Sequence, residues 1–138
     1  MRSTLYSQVH VVPALAQASR TANATVNGTT VDTGLFGNDF KVVLFAIQAG
    51  AITDGSHAFA VQDSADGSSW AAADSVLVQG SAPTLVAASD DAVHYLGYIV
   101  ANRQYVRLTV TTSGSTSGGV FGAVAVLGQP SSTPVIRS

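Results

Sequence analysis

The side chains able to do chemistry are few: three histidines, eight acids that are all aspartate, and no cysteine. Without cysteine there is no thiolate nucleophile, no disulfide and no cysteine metal site. His10, His57 and His94 stand far apart, with none of the short spacings by which neighbouring side chains share a metal. Each is expected at the surface or half-buried. Gly55-Ser56-His57 lacks the second glycine of a nucleophile elbow. Asp63-Ser64-Ala65-Asp66-Gly67 places its acids at the wrong spacing for an EF-hand, and no Glu follows. It leaves at most a weak calcium contact from Asp63, Asp66 and backbone carbonyls. Asp90-Asp91 is a like-charge pair that solvation explains. No glycine-rich loop leads into a helix to cradle a phosphate. Asn23-Ala24-Thr25 and Asn27-Gly28-Thr29 match the glycosylation pattern, as chance allows in a Thr-rich chain. No catalytic, cofactor or metal residue emerges, so the expectation is a protein that is not an enzyme and needs no cofactor.

The elements around these residues are strands. Short apolar runs separated by Gly, Asn, Asp and Ser clusters fall at about 20–26, 29–33, 40–48, 57–63, 74–79, 84–88, 93–100, 104–112 and 120–128. Many short strands with turn signals between them predict an all-β, antiparallel β-sandwich of about eight strands, jelly-roll or Ig-like. The strand over 57–63 places Phe59, Val61 and Asp63 on one side, and Ala58, Ala60 and Gln62 on the other. A tight turn is expected at Asp66-Gly67, since glycine reaches positive φ freely and Asp bonds local backbone. A second strand then follows the single tryptophan, Trp70, which is expected to plug the base of this hairpin.

Two segments are apolar on both faces. In Lys41–Gln48, Val42, Leu44 and Ala46 alternate with Val43, Phe45 and Ile47; Val120–Gly128 behaves alike. Such strands belong in the centre of a sheet with both sides covered. One cover is the opposing sheet, and a neighbouring subunit is the preferred second. Tyr105–Thr112 instead alternates cleanly, with Val106, Leu108 and Val110 inward and Tyr105, Arg107 and Thr109 outward.

Charged residues are only 10% of the 138, and the net charge is -2. A surface so weakly charged costs little to desolvate against another chain. The basic residues Arg2, Arg20, Lys41, Arg103, Arg107 and Arg137 are scattered, so the cluster that nucleic-acid binding requires is missing. No apolar run approaches the roughly 20 residues of a membrane helix. Residues 1–18 faintly mimic a signal peptide, but Ser7, Gln8, His10 and Pro13 interrupt its apolar core. They are expected to form an extended N-terminal arm. Residues 19–128 would be the sandwich, with Thr111–Gly119 a flexible connection and 129–138 an extended C-terminal tail.

Several segments together resemble the head decoration or minor capsid proteins of tailed phages. They are Gly28–Gly34, Ile47–Gly55, the hairpin Val61–Trp70, Gln104–Leu108 and the closing strand Val124–Pro130. Their order runs from about residue 25 to 130. The resemblance implies a sandwich on the outer capsid surface of a virion, made in the host cytoplasm. It implies the major capsid protein and further copies of itself, favouring a trimer, as partners. Asp66, Gly67, Trp70, Tyr105 and Arg107 would be its structural motif, not a catalytic site. The apolar terminal residues Val9, Val11, Val12, Leu15, Pro134, Val135 and Ile136 would then make the intersubunit or capsid contacts. Ser64-x-Asp66-Gly67-x-x-Trp70 with Tyr105–Leu108 also resembles discoidin-like sandwiches, which would imply a carbohydrate- or cell-surface-binding module.

Overall fold

Two of the three longest strands, over Val42–Ile52 and Gly119–Gly128, have the most continuous apolar sequence. The computed structural model describes residues 4–89 and 91–136; Arg2, Asp90 and Arg137 lie outside them. A four-residue helix, α1 (Leu5–Gln8), leads into β1 (His10–Arg20). Short strands β2 (Thr25–Asn27) and β3 (Val31–Asp32) follow, then the long β4 (Val42–Ile52) and β5 (Ser56–Ser64). Next come β6 (Ala71–Ala72), β7 (Val78–Gln79) and β8 (Thr84–Leu85). β9 (Val93–Ile99), β10 (Tyr105–Ser113) and β11 (Gly119–Gly128) close the chain.

The strands form two antiparallel sheets packed face to face as an all-β sandwich. One sheet has the order β1-β11-β4-β9-β7, and the other β2-β10-β5-β6. In the second sheet β3 continues the edge made by β2, and β8 continues the edge made by β6. The doubly apolar strands β4 and β11 lie inside the first sheet, as their sequences require. Their inward residues, Val43, Phe45, Ile47, Phe121, Ala125 and Leu127, meet Phe59, Val61, Val106, Leu108 and Val110 of the other sheet in one buried core. Phe59 and Phe121 pack edge to face with centroids 5.5 Å apart, an arrangement that suits their ring quadrupoles.

The N-terminal segment corrects the expectation. Residues 10–18 are not an arm; they belong to β1, which pairs with β11 from His10↔Leu127 to Arg20↔Gly119. Register shifts between Pro13 and Leu15 and between Leu15 and Ala18 interrupt the period of two. Ala14 and Leu15 are therefore both buried although adjacent, which hides the strand pattern in the sequence. Gly122 of β11 serves this irregularity: a Cβ there would stand 2.8 Å from Gln17 Cα.

The hairpin is also looser than expected. Residues 65–70 form a six-residue loop, β6 is only two residues long, and the chain then crosses to the first sheet as β7. Thr111–Gly119, expected as a flexible connection, lies partly in β10, and its loop is stitched down by Asp54. The C-terminal tail has no strand up to Ile136, yet it is fastened: Ser131 N–H donates to Asn38 O at 2.7 Å and Val135 N–H to Ser7 O at 2.9 Å.

Candidate interaction face

The first sheet has an outer side that nothing in its own fold requires to be apolar. Cross-strand register sets its residues in rows. One row runs Val11, Val126, Leu44, Gly97 and Gln79; the next runs Pro13, Val124, Ala46 and Tyr95. Val42 pairs with Ile99 and Gln48 with Val93 at the flanks. No charged residue stands in these rows. Tyr95 is 64% exposed, Val11 53% and Val93 48%, with Leu44, Val124 and Ile99 near 40%. Strands about 4.8 Å apart and outward rows about 6.7 Å apart make this face about 20 Å by 20 Å, roughly 400 Å². Isolated apolar residues are normal on protein surfaces; a contiguous patch of roughly 400 Å² is in the range of the largest patch on a typical monomer, and such patches are often functional.

The opposite side of the sandwich differs. Ala58, Ala60, Thr25 and Thr111 are small or polar, and the Thr25 and Thr111 hydroxyls meet at 3.1 Å. Trp70 lies at this side rather than in the core, which corrects its expected role as a plug. It is half-buried, with the Arg107 guanidinium 4.2 Å from its ring centroid. Arg107 Nε–H also donates to Gln62 Oε1 at 2.9 Å. A guanidinium stacked on an indole covers apolar area while keeping its charge in water, so Trp70 has no need of the interior. Tyr105 contributes from the same strand, its ring standing 3.7 Å from where a Cβ on Gly67 would be.

The acids of the hairpin are occupied structurally. Asp66 Oδ1 accepts from Ser68 N–H, Ser69 N–H and the Ser64 hydroxyl, each at 2.9 Å. These donors, Ser69 and Ser68 first, hold its pKa at about 2. Gly67 takes φ 79°, and its N–H donates to Ser64 Oγ. Asp63 turns inward instead. Its Oδ2 accepts from Tyr98 OH at 2.8 Å, joining β5 to β9 across the core. Burial, then the hydrogen bond to Asp63, raises the Tyr98 phenol well above its usual range. Asp54 accepts the backbone N–H groups of Thr116, Ser117 and Gly118, which hold its carboxyl below the ordinary range and fix the β10–β11 loop.

The histidines do not meet. His57 is fully buried, between Thr112 Oγ1 at 2.9 Å and the Asp54 carbonyl at 3.2 Å. His10 is half-buried near Phe40, and His94 stands opposite Ile47 in β9. Among the described residues, no three His, Asp or Glu side chains gather as metal ligands, and no helix is long and apolar enough to cross a membrane.

The structure divides the proposed contact residues. Leu15 and Val135 are core residues, 5% and 6% exposed, and Val12 packs against the core. They are therefore withdrawn from any contact surface. Val11, Pro134 and Ile136 are exposed, and Val9 is half-buried. Val9 and Val11 border the apolar face. The alternation of VHYLGYI, Val93 to Ile99, is doubly apolar as well and was the available signal for the exposed Val93, Tyr95 and Ile99.

A two-sheet sandwich with one uncharged, apolar sheet face defines the class of molecule. Among solved structures it is similar to the SPBc2 prophage-derived protein YomS, with a TM-score of 0.51 and 11% identity over 88% of this chain and 93% of that one. PirA matches at a TM-score of 0.42 and 14% identity, covering 93% and 97% of the two chains. No protein-family model matches the sequence, and neither does any curated protein.

Proposed function

We propose that this protein is a non-enzymatic structural component of a tailed-phage particle. It decorates and stabilises the outside of the head by binding the major capsid protein, and it associates with further copies of itself, most favourably as a trimer. The observation that carries this reading is the uncharged apolar face of the first sheet. A free monomer gains nothing from exposing Leu44, Val124 and Tyr95 side by side, whereas a protein that spends its life against other chains does. The fold it shares with a prophage-derived protein supports a phage origin. Many copies on one shell bind through multivalency, so a modest contact per copy suffices.

Co-sedimentation with empty capsids tests the reading. Wild-type protein should pellet with shells, and Leu44→Glu, which places a charge in the middle of the face, should stay in solution while melting normally. Absence of wild-type binding, or equal binding by the variant, counts against it. Trp70 at the surface also serves the carbohydrate-binding alternative. Saturable glycan binding lost in Trp70→Ala would replace the capsid reading with that one.

A further inference from the structure

We propose that copies of this chain join head to tail, the α1 turn of one copy seating Leu5 in an apolar cleft at the other end of the first sheet of the next copy. This deepens the self-association proposed above and rests on it.

Both halves of the contact are present on one molecule. The knob is α1, where Leu5 and Tyr6 are each 75% exposed. An isolated helix of four residues does not hold its shape in water. This one is built to: Thr4 Oγ1 accepts from Ser7 N–H, the Ser7 hydroxyl accepts from Thr4 N–H, and the C-terminal tail clamps Ser7 O through Val135 N–H. The fold thus rigidly presents a large apolar residue to solvent, which lowers the ordering cost of a contact made there.

The hole is a cleft of about 340 Å³ whose exposed lining is mainly apolar, with Pro13, Ala46, Val93 and Val124 beside the uncharged Gln17 and Gln48. An apolar cavity of about 150 Å³ already admits benzene, so a leucine side chain fits with room for the ring beside it. Neither α1 nor these lining residues carry a charge, so closing the contact strands no ion. The molecule cannot fill its own cleft. His10, just after α1, and Ala16, at the cleft, lie six strand residues apart, about 20 Å.

The second copy is favoured over strand addition because the sheet edges are blunt. β1 carries Pro13 and two register shifts, and β7 has two residues. A knob on one surface and its hole on another make a heterologous contact, which closes into a ring when the rotation permits. The contact uses the Val93 end of the face and leaves Leu44 and Ile99 for the capsid.

Mixing variants tests this. Wild-type protein should sediment as an oligomer. Leu5→Glu destroys the knob and Val93→Glu the hole, so each alone should sediment as a single 14.0 kDa chain. Mixed, the intact hole of the first and the intact knob of the second should form a two-chain species. An isologous contact would stop at two chains in the wild type, whereas a head-to-tail contact continues to three or more. The milder Leu5→Ala and Val93→Thr should weaken association at least tenfold and guard against misfolding. A monomeric wild type, unchanged mass in both variants, or no rescue on mixing overturns the proposal. None of these results bears on capsid pelleting, which Leu44→Glu reports separately.

Discussion

At the residue scale, the acids that looked available for chemistry are committed to holding the fold. The Asp63–Tyr98 pair is the clearest case, because each group is buried and each needs the other. Tyr98→Phe leaves a buried carboxylate without its donor and should cost about 1–3 kcal/mol, measured by urea unfolding. Asp63→Asn keeps an acceptor for the phenol and should cost less; the opposite order would show that the pair does not tie the sheets. Because the folded pKa of Tyr98 is raised, its contribution is complete below the unfolded value of 10.0 and declines as pH rises beyond it. Asp66 behaves in the reverse sense. Its folded pKa of about 2 lies below the ordinary 3.8, so its contribution is present above about pH 4 and is lost as pH falls toward 2. Asp66→Asn should therefore flatten the acid limb of the melting temperature against pH in that window. An unchanged acid limb would mean that the loop donors bind both protonation states equally.

At the element scale, β1 is the instructive strand. It covers one edge of β11 and contributes Ala14 and Leu15 to the core. Leu15→Ala should cost about 2–5 kcal/mol by the usual transfer and cavity terms. Deleting residues 1–20 should abolish cooperative unfolding in circular dichroism melts, not merely weaken binding to a shell. A truncated chain that still melts cooperatively would restore the idea of a dispensable arm. Gly122→Ala probes the local irregularity: its Cβ meets Gln17 backbone at 2.8 Å, so β1 must shift and stability must fall.

The whole molecule is asymmetric in what it shows to its surroundings. One outer side is small and polar, with Arg107 laid over Trp70, and the other is apolar and uncharged. Edges that are short, bulged or proline-bearing leave the face, and not strand pairing, as the surface through which the proposed association would act. Contacts made through such a face should persist in high salt, where charge-based contacts are screened, and tighten in sulfate. Sedimentation in rising sodium chloride and then ammonium sulfate checks this. Dissociation by sodium chloride alone would assign the association to charged residues elsewhere.

The amino-acid sequence by itself determined the class of fold and much of its interior. Period-two alternation in 57–63 and 105–112 and continuous apolarity in 41–48 and 120–128 are local properties, and each strand kept the orientation they dictate. Asp63 inward and Arg107 outward were legible for that reason. Only the tertiary structure decided where the pattern breaks. The register shifts in β1 turn two adjacent residues inward, so no simple period reveals the strand. The place of Trp70 depends on Arg107, 37 residues away, offering its guanidinium as a cover. The apolar face likewise exists only when β1, β11, β4 and β9 lie in register. Strand sequence specifies which side chains share a face, but neighbouring strands specify whether those faces add up to a surface.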